Sequence, residues 1–182
     1  MKRLSSVDAQ FLAMEDSRIH SHVCQLTIIE AKSVHGEPVT GRHLRNLLTD
    51  RIDLMPPFRW RIKDVPFGVD YPVLFDDDAF DLDSHIWESA LPAPATDDEL
   101  ADAVGRIASR PLDRARPLWE FHIIHGLADD RIALVTKVHL CASSRAAGEE
   151  KVPFKKCAMG VDVLHLPVKA TRRGQRTQGS TR

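Results

Sequence analysis

Only three cysteines, Cys24, Cys141 and Cys157, occur in 182 residues, an odd and sparse set unlike the paired framework of a small secreted domain. Reduced thiols in a cytoplasmic protein are the expectation. No apolar run approaches the roughly 18 residues of a spanning helix. Asp8, Glu15 and Asp16 interrupt the opening MKRLSSVDAQFLAMEDS where a signal peptide would carry its apolar region. Membrane contact, where there is any, is therefore expected to be peripheral. Metal ligands are scarce too. His20, His22 and Cys24 alternate in HSHVC and would share one face of an extended chain, but a zinc site wants four ligands, or three plus water, and no fourth is identifiable. Cys141, Cys157 and His165 have no compact ligand spacing, so neither a metal nor a cofactor is expected. The Asp-rich stretch around residues 76–83 lacks the Gly and terminal Glu of a calcium loop. Arg59, Arg61 and Lys63 have acidic surroundings and no series of stacking aromatics, which argues against a nucleic-acid partner. No internal repeat of fixed period is visible.

What is present is the composition of an ordinary globular chain, 43% hydrophobic and 28% charged, at a length that suits one core. The net charge of -1 conceals an asymmetry. Residues 1–139 carry 16 Lys and Arg against 23 Asp and Glu, a balance of -7, whereas residues 140–182 carry 9 against 3, a balance of +6. Two kinds of sequence therefore meet near residue 139: a domain over 1–139 and a divergent basic tail over 140–182.

Local patterns place the elements of the first part. Ser5 or Ser6 can cap a short helix bearing Val7, Phe11, Leu12 and Met14, with Asp8 suited to its positive first turn. Residues 23–30 read as a strand. Thr40 precedes a helix over 41–52 with Leu44, Leu47, Leu48 and Ile52 on one face, stopped by Pro56 and Pro57. In residues 58–66, Phe58, Trp60 and Ile62 alternate with Arg59, Arg61 and Lys63, the pattern of a half-buried strand with a basic outer face. Two further short strands surround the Asp-rich turn. Thr96 and Glu99 form a capping box ahead of a helix reaching about Arg110, with Leu100, Ala103, Val104 and Ile107 inward. Residues 120–127 and 131–139 read as a core hairpin about an Ala-Asp-Asp turn. Beyond residue 140 only the brief VDVLHL run stands out, and poor order is expected past about Pro167.

A polar residue at the end of a buried strand is well placed to meet a substrate, and His139 occupies that place. By itself a lone histidine is weak evidence for catalysis. The surrounding text adds to it. MKRLSSVDAQFLAMED, PPFRWRIKDVPFG, FDLDSHIWESALPAPATDDELADAVGRIASRPLDRARPLWEFHIIHGL and RIALVTKVH together resemble the N-terminal part of bacterial wax ester synthase/diacylglycerol acyltransferases, with PLDRARPLWE and the hairpin after it the most specific element. The resemblance covers roughly residues 1–139. It implies an α/β, mixed α+β fold of the CoA-dependent acyltransferase type, a mixed sheet with packed helices forming one of two related subdomains, with the active-site channel between them. It also implies a His-His-x-x-x-Asp-Gly motif at the end of this strand. The second histidine of that motif would act as base on diacylglycerol or a fatty alcohol attacking the thioester of acyl-CoA.

Read without gaps, the first motif histidine matches His139, while the second, the aspartate and the glycine meet Leu140, Ser144 and Arg145. Leucine accepts no proton, serine brings no charge, and arginine lacks the freedom of glycine at positive φ. The expectation is a truncated, catalytically incompetent member of the family, a pseudoenzyme retaining His139 as a motif remnant. An abrupt switch at one residue is what a frameshift or altered C-terminus would produce. The resemblance names acyl-CoA and diacylglycerol or a fatty alcohol as substrates, with peripheral contact at membranes or lipid inclusions. A subdomain face exposed by the missing half predicts self-association. Two other readings stand beside this one: residual transfer with His139 as substitute base in an oligomer, or binding of a lipid surface or anionic partner through residues 169–182.

Overall fold

The computed structural model describes residues 2–33 and 36–142. Most of the expected basic tail, including Ser144, Arg145 and residues 169–182, lies outside the described residues.

Among the described residues, seven strands and three α-helices follow one another as β1 (Lys2–Arg3), α1 (Ser6–Ala13), β2 (His22–Glu30), α2 (Gly41–Thr49), β3 (Trp60–Lys63), β4 (Val73–Asp76), β5 (Ile86–Ala95), α3 (Asp97–Ala108), β6 (Trp119–Leu127) and β7 (Arg131–His139). They build a four-stranded sheet in the order β2-β7-β6-β5 and a three-stranded one in the order β1-β4-β3. The larger sheet is mixed. β2 and β6 flank β7 antiparallel, while β5 runs parallel to β6.

β7 lies between two strands with both faces covered, which is why its sequence is nearly continuous in apolar residues. Ile132, Leu134 and Val138 point into a core closed by Leu44 and Leu48 of α2 with Phe58, Trp119 and Phe121. Ala133 and Val135 face the other way, onto Leu100 and Ala103 of α3. Each large aliphatic side chain buried there contributes about 1.5–3 kcal/mol from apolar transfer. The β6–β7 connection is tight because Asp129 and Asp130 both adopt positive φ, at 60° and 53°, the requirement of a hairpin turn matched to strand twist. Gly126, at φ 96°, cannot carry a side chain: a Cβ there would sit 2.3 Å from the carbonyl oxygen of Leu91.

The helix caps are local chemistry. Ser5 Oγ accepts from the Asp8 amide at 3.1 Å and donates to the Asp8 carboxylate at 2.7 Å. The capping box at Thr96 and Glu99 is complete in both directions. Two details differ from the sequence pattern. In α1 the buried residues are Asp8, Ala9 and Leu12, while Val7 and Met14 face outward, because the cap rotates the carboxylate beneath the helix start. The second helix ends at Thr49, and Ile52 and Phe58 enter the core from 3-10 turns at Ile52–Leu54 and Pro56–Arg59, since neither proline can donate to a helical ladder. The expected basic face is ion-paired at two of its residues: Arg61 of β3 pairs with Asp77 at 3.2 Å, and Arg59, in the turn before the strand, with Asp53 at 2.8 Å. Among the described residues no helix is long and apolar enough to cross a membrane.

The α3 C-terminus has an uncommon cap. Carbonyls at its end and just past it, where the helical ladder runs out of donors, are met by side chains from two neighbouring strands. Lys137 Nζ, fully buried, donates to Ile107 O at 2.9 Å and to Arg110 O, and His22 Nε2 donates to Ala108 O at 2.8 Å. Burial lowers the pKa of both groups. A cation at the negative end of the helix dipole offsets part of its own desolvation.

Candidate functional site at the end of β7

The end of β7 is clamped from both sides. His139 lies directly opposite His22 in the β2–β7 ladder. The His139 amide donates to Leu118 O at 3.0 Å and the Leu140 amide to Ser21 O at 2.9 Å. Residues 140–142 then turn helical, so the backbone leaves the strand directly after His139.

His139 is only 1% exposed, and both of its ring nitrogens are engaged. The Cys141 amide donates to Nδ1 at 3.2 Å, so Nδ1 carries no proton. Nε2 carries the hydrogen and donates to Glu15 Oε1 at 3.0 Å. The imidazole is thus fixed as one neutral tautomer. Burial lowers its pKa, and this outweighs the opposing pull of Glu15.

Glu15 is the hub. Its Oε1 also accepts from the Ser21 amide at 2.8 Å, and its Oε2 accepts from Arg114 Nη2 at 2.7 Å. Arg114 makes a second bond, to Leu12 O at 3.0 Å, tying the α1 end to the segment before β6. Burial would raise the Glu15 pKa, but the hydrogen bonds from Arg114 and Ser21 together with the nearby positive charge hold it below the usual carboxylate value. A lowered Glu15 beside a lowered His139 describes one state, a carboxylate accepting from a neutral imidazole with Arg114 as its counter-charge.

The neighbouring thiol is equally withdrawn. Cys141 is buried beside Leu118, Leu74 and Trp60, and burial pushes its pKa up to about 12. Among the described residues no three His, Cys, Asp or Glu side chains converge to hold a metal ion. Of the HSHVC set, His20 and His22 stack at 5.7 Å, and His22 serves the α3 cap.

His139 and Leu140 lie here at the strand end, while Ser144 and Arg145 lie outside the described residues. No local sequence pattern gives Glu15, Ser21 or Arg114 a role. Residues 15 and 114 are too far apart in sequence for any local pattern to join them. Their one signal was that they belong to MKRLSSVDAQFLAMED and PLDRARPLWE, two of the segments that carry the resemblance.

Comparison with known proteins follows the same lines. A model of the wax ester synthase/diacylglycerol acyltransferase catalytic domain matches residues 4–148. A Mycobacterium tuberculosis protein named as a probable diacylglycerol O-acyltransferase is 38% identical over 140 residues, covering 75% of this chain and 49% of that protein. A second from that organism, with the same activity in its name, is 35% identical over 167 residues, covering 92% of this chain and 34% of its own length. A wax ester synthase/diacylglycerol acyltransferase structure from Marinobacter aquaeolei VT8 superposes with a TM-score of 0.61 at 30% identity, over 78% of this chain and 34% of that one. The starter condensation domain of rhizomide synthetase, solved with C8-CoA, gives a TM-score of 0.58 at 16% identity over 80% of this chain, a likeness of fold alone. The chain thus spans between a third and a half of the length of these proteins.

Proposed function

The chain belongs to the wax ester synthase/diacylglycerol acyltransferase family, and from that premise we propose that it is the N-terminal subdomain of an acyl-CoA-dependent O-acyltransferase without a base of its own. In the transfer, an alcohol oxygen attacks the thioester carbonyl, the C–S bond breaks, and the proton leaves the hydroxyl for a base and ends on the CoA thiol. That base must sit within hydrogen-bond reach of the hydroxyl with a free nitrogen lone pair. The observation that carries the reading is the pairing of His139, buried with both nitrogens engaged, with Leu140, which has no nitrogen in its side chain at the next position. His139 then acts as a structural post that sets where residue 140 projects. Loss of a positioned base costs about 10²- to 10⁴-fold in rate.

The same geometry counts against His139 as a substitute base. Its Nδ1 lone pair is taken by the Cys141 amide, and its Nε2 hydrogen points at Glu15. Incubating the full chain with a long-chain acyl-CoA and either diacylglycerol or a fatty alcohol, and following release of CoA thiol, tests the proposal. No turnover above the uncatalysed rate is expected. Ester synthesis at an ordinary enzymatic pace, abolished by His139→Ala, would overturn it.

A further inference from the structure

We propose that the loop joining β3 to β4, residues 64–72, is a lipid-docking tip that buries Phe67 and Val69 in the interfacial layer of a phospholipid surface. Phe67 is 100% exposed and Val69 is 78% exposed, with Tyr71 also exposed beside them. These apolar groups share one exposed connection between β3 and β4. Phe67 holds φ 61° and Gly68 φ 62°, so a bulky residue sits in the left-handed region at the apex, where glycine would be unstrained. No packing contact at the tip accounts for keeping a phenylalanine there.

The stalk below the tip is firmly held. β3 and β4 pair antiparallel from Trp60 with Asp76 to Lys63 with Val73. Arg3 pairs with Asp70 at 2.7 Å, and the Leu4 amide donates to Pro72 O at 3.0 Å. Lys2 Nζ lies 4.8 Å from the Trp60 ring centroid. The tip is therefore presented by a braced hairpin whose base carries Lys2, Arg3 and Lys63 along with Asp64 and Asp70. Apolar groups and a tyrosine at the apex over a mixed, slightly basic collar form the pattern of an interfacial anchor.

Size favours lipid over protein as the occupant. Three side chains of this kind offer on the order of 500 Å², short of the ~800 Å² per partner of a stable protein interface. A fluid surface needs no matching pocket to receive so few side chains. For the surface the inference rests on the reading above, since diacylglycerol and long-chain alcohols reside in lipid.

The experiment is flotation of the full chain with phosphatidylcholine vesicles containing diacylglycerol, at low and at high salt. Wild type, a Phe67→Asp/Val69→Asp variant and a Leu54→Asp control at another exposed apolar site are compared, with circular dichroism to show that each is folded. Wild type and control are expected to float at both salt concentrations, and the double variant to bind about ten-fold less or weaker still. Failure of wild type to float, equal flotation of the double variant, or binding abolished by salt would overturn the proposal, the last pointing instead to the basic residues 169–182. Loss of self-association in the double variant without loss of flotation would assign the loop to a protein contact. Acyl transfer plays no part in the readout, so this test and that of the proposed function fail separately.

Discussion

Replacing Glu15 tests whether its role is to accept hydrogen bonds or to balance charge. Glu15→Ala removes the acceptor for the Ser21 amide and for His139 Nε2, leaving two donors unpartnered at about 1–3 kcal/mol each. Arg114 is 48% exposed and regains water, so losing its pairing adds less than about 1 kcal/mol. Because Glu15 is 14% exposed and water can reach the vacated acceptor position, the lower part of that range applies and the total is about 3 kcal/mol. For an ordered unit of this size that lowers Tm by roughly 10 °C. Glu15→Gln behaves differently, because its amide oxygen can still take both donors at the Oε1 position while only the contact with Arg114 is lost. About 1 kcal/mol is expected, and the same for Arg114→Ala. Urea and thermal unfolding at pH 7.5 provide the magnitudes, and 15N chemical shifts of the His139 ring report whether the hydrogen stays on Nε2. If Glu15→Gln were as damaging as Glu15→Ala, or if Arg114→Ala exceeded both, the charge pair would govern the site and the hydrogen-bond argument would be refuted.

Two other expectations concern protons and thiols. Burial depresses the pKa of His22, His85 and His139 below the ordinary imidazole value of about 6.5, so the unfolded chain binds protons first and stability falls as the pH drops below about 6.5. Urea midpoints at pH 7.5, 6.5 and 5.5 should decline in that order, before Glu15 begins to protonate, and a flat profile would contradict the burial of neutral imidazoles. Cys141, buried and with its pKa pushed up to about 12, should resist iodoacetamide in the native state at pH 8 and react on unfolding in urea. Peptide mapping that found Cys141 alkylated as fast as Cys24 would show that the strand end opens.

Signals within one turn or one strand were legible directly. The Thr96 and Glu99 capping box, the Thr40 cap with its leucine stripe, and the continuous apolar run of β7 each depend on neighbours a few residues apart, and each formed, although the second helix stops at Thr49, short of the residue 52 that its pattern reached. The departures arose where tertiary packing overrode period: Val7 yields to Asp8 under α1, and Phe58 reaches the core from a turn. The site was half legible. His139 could be named from its place at a strand end, but its tautomer could not, since that depends on Glu15, 124 residues away in sequence.

The amino-acid order by itself therefore determined the family, most of the elements and the leucine at residue 140, because covalent identity and short-range pattern suffice for all three. The fold decided what His139 can do. Whether an imidazole is a base or a post depends on which donors and acceptors meet its two nitrogens and on how far water is excluded, and here those partners are Glu15, just past α1, and the Cys141 amide, just past β7, brought together only by packing.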